Sequence, residues 1–257
     1  MTDLLALNLI IIAYLTAIGA CFGSFINAAS LRYAAGASFV KGRSCCPACG
    51  AVIKWFDLVP IASWLLLAGK CRGCKAKIPL RYALVEVLAA VLFPLCYIVF
   101  GFKWMTLIAM AVTFILLAIS LIDLATTEIP NGLTIALIPL AIAAIWLAPD
   151  VTLVARIIGF FAVALPMFIL ALTISGAFGG GDIKLMAVCG FLLGWQSVLL
   201  AFFIALLLGG GYAIMQMAIK KRKGQMVFGP ALAAGIYIAL LFGENIIGWY
   251  LSFFMLF

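Results

Sequence analysis

Long uncharged runs limit what this chain can fold into. Leu4 to Leu31 and Met105 to Ile122 contain no charged residue, and uninterrupted apolar stretches of that length are read as membrane-spanning helices. Of the 257 residues, 68% are hydrophobic and 9% charged, so lipid is the solvent for most of the chain and a soluble core is excluded. A spanning helix needs about 20 apolar residues. The runs therefore predict an all-α, polytopic transmembrane bundle of about eight helices, at about 5–30, 83–101, 104–122, 131–148, 153–175, 183–194, 196–219 and 227–243. The segment 183–194 is short for a crossing. The tail 244–257, entered through Glu244 and Asn245, is expected at the outer interface.

The first run is too long for a signal-peptide core and is preceded only by Asp3, so it reads as a retained helix with the N-terminus outside. Eight crossings bring the C-terminus back to that side. With residues 31–82 in the cytoplasm, Arg32, Lys41, Arg43, Lys54, Lys70, Arg72, Lys75, Lys77, Arg81, Lys184, Lys220, Lys221, Arg222 and Lys223 are inside. Only Lys103 and Arg156 fall outside. This asymmetry is the positive-inside pattern. It also accounts for the net charge of +8 by topology rather than by a nucleic-acid partner, and none is expected. Three parts follow: a first transmembrane helix at 1–30, a cytoplasmic loop domain at 31–82, and a transmembrane core at 83–257. No internal repeat of convincing period is present, which counts against an inverted-repeat transporter.

Within the loop, Cys46-Pro-Ala-Cys49 and Cys71-Arg-Gly-Cys74 form two C-x2-C knuckles about twenty residues apart, the spacing of a four-thiolate zinc ribbon. Two sulfurs on each tight turn can reach one tetrahedral ion, and the neighbouring cations favour thiolates. Paired disulfides or a redox C-x-x-C are the competing readings, and a reducing cytoplasm disfavours the disulfides. Four protein ligands close the coordination sphere, so one structural Zn2+ per chain is expected and no open position remains to activate water. Cys45 is spare. Cys21, Cys96 and Cys189 lie in apolar helices, where cysteine acts as a small hydrophobe.

Only eight acidic residues occur, and an ionisable group at membrane depth is costly unless it has a partner or a polar cavity. Asp123 closes the run Met105 to Ile122, and Asp182 ends Phe178-Gly179-Gly180-Gly181-Asp182. The alternation of crossings places both at the cytoplasmic side, at one depth. Two carboxylates held together share a proton and so supply one acid and one base, the arrangement of an aspartyl protease. The glycine run would let a substrate backbone approach or the chain bend. The bland alternative makes Asp123 a solvated helix end and Asp182 an N-cap for a helix beginning at Ile183. Lys184 reads as a snorkelling side chain, Glu128 as an exposed loop residue, and Glu86 as either snorkelling or buried with a function. Asn27, in the first helix, needs a hydrogen-bond partner. The function class that rivals a protease is a proton- or cation-coupled transporter using Asp123 and Asp182. A non-enzymatic membrane scaffold is the third.

Over nearly its whole length the chain resembles the bacterial type IV prepilin peptidases, a branch of the GxGD aspartyl intramembrane proteases. The resemblance is carried by Gly23-Ser24-Phe25-Ile26-Asn27 with Arg32, by Ser44 and the first knuckle, and by Ile53-Lys54-Trp55, Pro60 and Ser63-Trp64-Leu65. It continues through Gly69-Lys70 and the second knuckle, Arg81-Tyr82 with Glu86, Ile122-Asp123, Ile129-Pro130-Asn131, Gly179 to Leu185, and Phe228-Gly229-Pro230. It implies that Asp123 and Asp182 are the catalytic aspartates. The implied substrates are type IV prepilins and type II secretion pseudopilins. Their basic leader would be cut at the cytoplasmic face of the inner membrane, after Gly and before a hydrophobic residue such as Phe. Members with the cysteine loop are commonly also N-methyltransferases that use S-adenosylmethionine, and the resemblance extends this to the chain, although no glycine motif of a nucleotide fold marks a donor site. Membrane lipid is the remaining partner. Departures from the family pattern are Ala28-Ala29, Ala83 and Asn131, none in the aspartate pair.

Overall fold

A computed structural model of the chain describes residues 2–38, 43–174, 176–220 and 227–254. Lys41, Lys221, Arg222 and Lys223 of the charge pattern lie outside the described residues. Among those described, the chain is helical and forms no strand, only the isolated bridges Cys45 with Val52 and Lys70 with Lys77. Helices suit this sequence because lipid cannot satisfy backbone polar groups, so a spanning segment must bond its own N–H and C=O groups. Six helical segments are long and apolar enough to cross a membrane: Leu5–Ala34, Arg81–Phe100, Trp104–Thr126, Leu153–Thr173, Trp195–Gln216 and Gly229–Ser252. The chain is a multi-pass membrane protein.

The chain divides into two compact units, Met1–Phe102 and Lys103–Phe257. In the first, α1 (Thr2–Ala34) packs along α3 (Arg81–Phe100). A Cβ on Gly23 would come within 2.9 Å of both the Ala89 Cβ and the Val85 carbonyl, so only glycine allows this approach. Phe22 stacks on Phe93 with centroids 5.5 Å apart, and the Tyr97 hydroxyl donates to Asn8 Oδ1 at 2.7 Å. Between the two helices lie a 3-10 turn, Trp55–Leu58, and the short α2 (Ala62–Leu66). Glu86 is buried, and its carboxylate accepts the Ile61 N–H at 2.7 Å. That bond ties the loop to α3 just where Ile61 takes a left-handed φ of 62°. The open choice for Glu86 thus resolves to burial with a defined partner.

The second unit contains α4 (Trp104–Thr126), α5 (Asn131–Leu147), α6 (Leu153–Ala162), α7 (Ala164–Thr173), α8 (Gly180–Leu193), α9 (Trp195–Lys220) and α10 (Gly229–Phe254). Helix α8 packs against α5, α6, α7 and α9, and α4 against α5 and α10. Leu185, Met186 and Cys189 on α8, Ile119 on α4 and Ile236 on α10 are fully buried. Three expectations need correction. The segment 153–175 breaks at Val163 into α6 and α7, because Pro166 has no N–H for the Ala162 carbonyl. The last helix does not end at 243 but runs on through residues 244–254 as α10, since Glu244 and Asn245 are polar without breaking backbone bonding. All eight expected segments are helical, yet α5 and α8, about 25 and 21 Å long at 1.5 Å per residue, fall short of the roughly 30 Å hydrocarbon core.

Candidate functional site

Asp123 lies in the last turn of α4, which ends where Thr127 turns left-handed (φ 56°) and donates its N–H to the Asp123 carbonyl at 2.8 Å. Its side chain is 5% exposed, not a solvated helix end. Oδ2 of Asp123 accepts the Gly229 N–H at 2.8 Å, so the first turn of α10 grips the carboxylate across 106 residues of sequence. Asp182 is not an N-cap either. The helix starts earlier, at Gly180 with Gly179 as its cap, and Asp182 sits one turn in, where its Oδ2 accepts the Gly179 N–H at 3.2 Å. This is the returning half of a capping box.

Both carboxylates line one cavity of about 300 Å3, together with Gly179, Gly180 and Gly181. The three glycines are not equivalent. A Cβ on Gly181 would lie 2.7 Å from the Ile129 Cβ, so this glycine lets α8 start against the α4–α5 turn, whereas Gly180 faces open space. Lys184 and Asn131, from the first turns of α8 and α5, line the cavity as well, and Lys184 Nζ donates to Asn131 Oδ1 at 2.9 Å. Lys184 is exposed, with its ammonium bonded to Asn131 beside the carboxylates. Glu128 is exposed at the rim. The N-terminal ends of α5, α8 and α10 all meet this region, and their dipoles favour a net negative charge there. The grip of Gly229 on Asp123 was not legible from local pattern, although Pro230 is a helix-start signal.

In the first unit the four knuckle cysteines converge. The Sγ atoms of Cys46, Cys49, Cys71 and Cys74 all lie within 4.8 Å of one another. A tetrahedron with metal–sulfur bonds of about 2.3 Å has edges of about 3.8 Å, and Cys46 Sγ is 3.8 Å from Cys74 Sγ. The donor set fits a metal ion. Each knuckle is built alike: Cys46 N–H donates to Ala51 and Gly50 N–H to Cys46, while Cys71 N–H donates to Ala76 and Lys75 N–H to Cys71. Gly50 and Lys75, the residues after each second cysteine, both have positive φ. The Cys49 and Ala48 N–H groups bring the Cys46 thiol down to about 7. Arg72 forks onto Asp57 at 2.6 Å and holds that carboxyl below the usual carboxylate range, bracing the second knuckle against the 3-10 turn. Cys45 stays outside the cluster. Cys96 and Cys189 are buried as small hydrophobes, while Cys21 is exposed on its helix.

Comparison with known proteins adds to this geometry. A family model of the bacterial peptidase A24 N-terminal domain matches residues 17–100, and that of the type IV leader peptidase family matches residues 110–214. A prepilin leader peptidase/N-methyltransferase of Bacillus subtilis (strain 168) is 34% identical over 237 residues, 91% of this chain and 95% of the relative. The protein so named from Aeromonas hydrophila is 36% identical over 220 residues, 83% of this chain and 76% of its own. The one from Neisseria gonorrhoeae is 31% identical over 223 residues, 84% and 77%. No solved structure matches the chain. With matched segments that take in the second half of α1, both cysteine knuckles, Asp123 and Asp182, the chain belongs to the prepilin leader peptidase/N-methyltransferase family.

Proposed function

We propose that the chain is an intramembrane aspartyl endopeptidase in which Asp123 and Asp182 are the catalytic pair. Its substrates are type IV prepilins and type II secretion pseudopilins, whose basic leader it removes at the cytoplasmic face of the inner membrane, after Gly and before a hydrophobic residue such as Phe. The observation that carries this reading is the meeting of the two carboxylates, from separate helices, at one cavity where Gly180 faces open space. The ionised member takes a proton from water as the water oxygen attacks the scissile carbonyl carbon, while the protonated member donates a hydrogen bond to the carbonyl oxygen. Collapse of the tetrahedral species breaks the C–N bond and passes a proton to the leaving amine. The leader departs with a new carboxylate and the pilin keeps a free N-terminus.

That amine is the acceptor for N-methylation, for which S-adenosylmethionine would supply the methyl group. One feature of the first unit fits a polar ligand: Asn27 is fully buried, and its amide nitrogen and oxygen find no partner among the described residues. Cys46, Cys49, Cys71 and Cys74 hold one structural Zn2+. The termini are periplasmic and the cysteine module cytoplasmic. The test is to incubate detergent-solubilised protein with a prepilin carrying its leader and to weigh the product with and without S-adenosylmethionine. Loss of the leader mass with the gain of one methyl mass is expected, and an unchanged prepilin would overturn the reading.

Gly229 gives a sharper check of the site. A Cβ there would lie 2.5 Å from Asp123 Oδ2, so Gly229→Ala must push the carboxylate aside. Alanine is a better helix former than glycine, so α10 itself should not suffer. The expected result is an unchanged melting temperature with kcat down about 10²-fold, the scale of a misplacement of about 1 Å. Wild-type kcat in this variant would mean that the grip on Asp123 is unimportant.

A further inference from the structure

Arg156 takes no part in either site, and the charge pattern counts it merely as an outer-side cation. It is nevertheless fully buried. Its guanidinium donates from Nη2 to the carbonyls of Ala144 and Ala148, both at 2.8 Å, and from Nη1 to those of Leu192 at 2.7 Å and Phe191 at 3.3 Å. Nε donates to the Val151 carbonyl at 3.2 Å. Ala144 and Ala148 stand at the C-terminal end of α5, and Phe191 and Leu192 at that of α8.

Carbonyls in the last turn of a helix have no partner within it and carry the negative end of its dipole. At the end of α8 the Phe191 and Leu192 carbonyls take Arg156 as a donor, while at the end of α5 the Ala144 carbonyl also accepts the Ala148 N–H at 3.0 Å and the Ala148 carbonyl the Val151 N–H at 3.4 Å, so Arg156 adds a second bond to each. One planar fork of donors reaches both sets at once, which a lysine ammonium lacks the geometry to do. One turn along α6, Gly159 lies so close to Gly190 of α8 that a Cβ on either would collide with the carbonyl oxygen of the other. The end of α8 is therefore held both sideways and along its axis.

The other ends of the same two helices form the cavity. Asn131 opens α5, and Gly180, Gly181, Asp182 and Lys184 open α8. From Asp182 to Leu192 is about 15 Å along α8, and from Asn131 to Ala148 about 25 Å along α5. Asp123 depends on different elements, α4 and the start of α10. An axial slip of α8 would thus move Asp182 relative to Asp123.

We propose that Arg156 is a positioning residue: by joining the C-terminal ends of α5 and α8, it sets the axial position of Asp182 against Asp123 from the far end of the helices. The proposal rests on the reading of those aspartates as the peptidase pair. Its reach is to a residue that touches neither substrate nor carboxylate.

The experiment compares purified full-length wild type, Arg156→Lys and Arg156→Ala for prepilin cleavage, and for hydrogen exchange read peptide by peptide. For both variants kcat is expected to fall about 10²-fold, with KM within about twofold of wild type. Exchange should quicken at residues 180–184 as well as around 144–156 and 190–194. Ethylguanidinium should fill the space left in Arg156→Ala and recover part of kcat. Wild-type kcat in Arg156→Lys, or faster exchange confined to 144–156 and 190–194, would overturn the proposal and leave Arg156 a local support. Should Arg156→Ala fail to fold, Arg156→Lys carries the test. If wild type itself does not cleave, the peptidase reading falls, while exchange at 180–184 still decides whether Arg156 governs the start of α8.

Discussion

Asp123→Asn and Asp182→Asn should each lower leader cleavage by about 10³-fold, within the range that a positioned acid or base contributes. The substitution keeps the shape of the side chain and removes only its ability to exchange a proton. Asparagine still presents an oxygen to the Gly229 N–H at position 123 and to the Gly179 N–H at position 182, so the starts of α10 and α8 should stay in place. The loss should appear in kcat, with melting temperature and membrane level close to wild type. The wild-type pH profile of kcat/KM should be bell-shaped, because activity needs one proton on the pair, neither two nor none. Cleavage at the wild-type rate by either variant would remove the pair from the mechanism. The same variants separate the rival classes. A coupled transporter would lose ion binding without any cleavage to lose, and a scaffold would be indifferent to both changes.

What was legible in the sequence was whatever has a local period or spacing. Apolar runs of helical length placed every long helix, and the two C-x2-C pairs placed the sulfur cluster because each knuckle is a turn of a few residues. The meeting of Asp123 and Asp182 could be anticipated, since two ionisable groups at one membrane depth need a shared polar setting. What escaped was set by contacts between distant segments. Arg156 looked like a topology marker because its partners are backbone carbonyls at 144, 148, 151, 191 and 192, and carbonyls have no sequence signature. The choice for Glu86 turned on an N–H in the loop 25 residues earlier, and the burial of Asp123 on a glycine 106 residues later. The break at Val163 belongs to a third kind: residues 153–175 read as one apolar run, and a single proline, Pro166, interrupts the backbone bonding within it.

Removing the metal should leave the membrane helices folded and undo the module between α1 and α3. The described part of that module contains no strand, only a 3-10 turn, the five-residue α2 and a few turns, so the cysteine cluster carries most of its cohesion beside scattered bonds such as Arg72–Asp57, Glu86–Ile61 and Ser63–Phe56. Structural zinc in small domains contributes apparent binding free energies of about 10 kcal/mol or more at neutral pH, far above what an exposed ion pair adds. Purified wild type should contain about one zinc per chain, and Cys74→Ser, or treatment with a strong chelator, should lower this to near none. Trypsin should then cut rapidly at the exposed Lys70, Lys75 and Lys77, while fragments containing α4 to α10 survive. Acid should release the metal too, because protons compete for the thiolates and binding weakens as pH falls. Because the cavity with both aspartates is built wholly from residues of the second unit, the module's loss should not alter hydrogen exchange at 180–184. A metal-free preparation as resistant to trypsin as the loaded protein would show that the four sulfurs meet for some reason other than a metal.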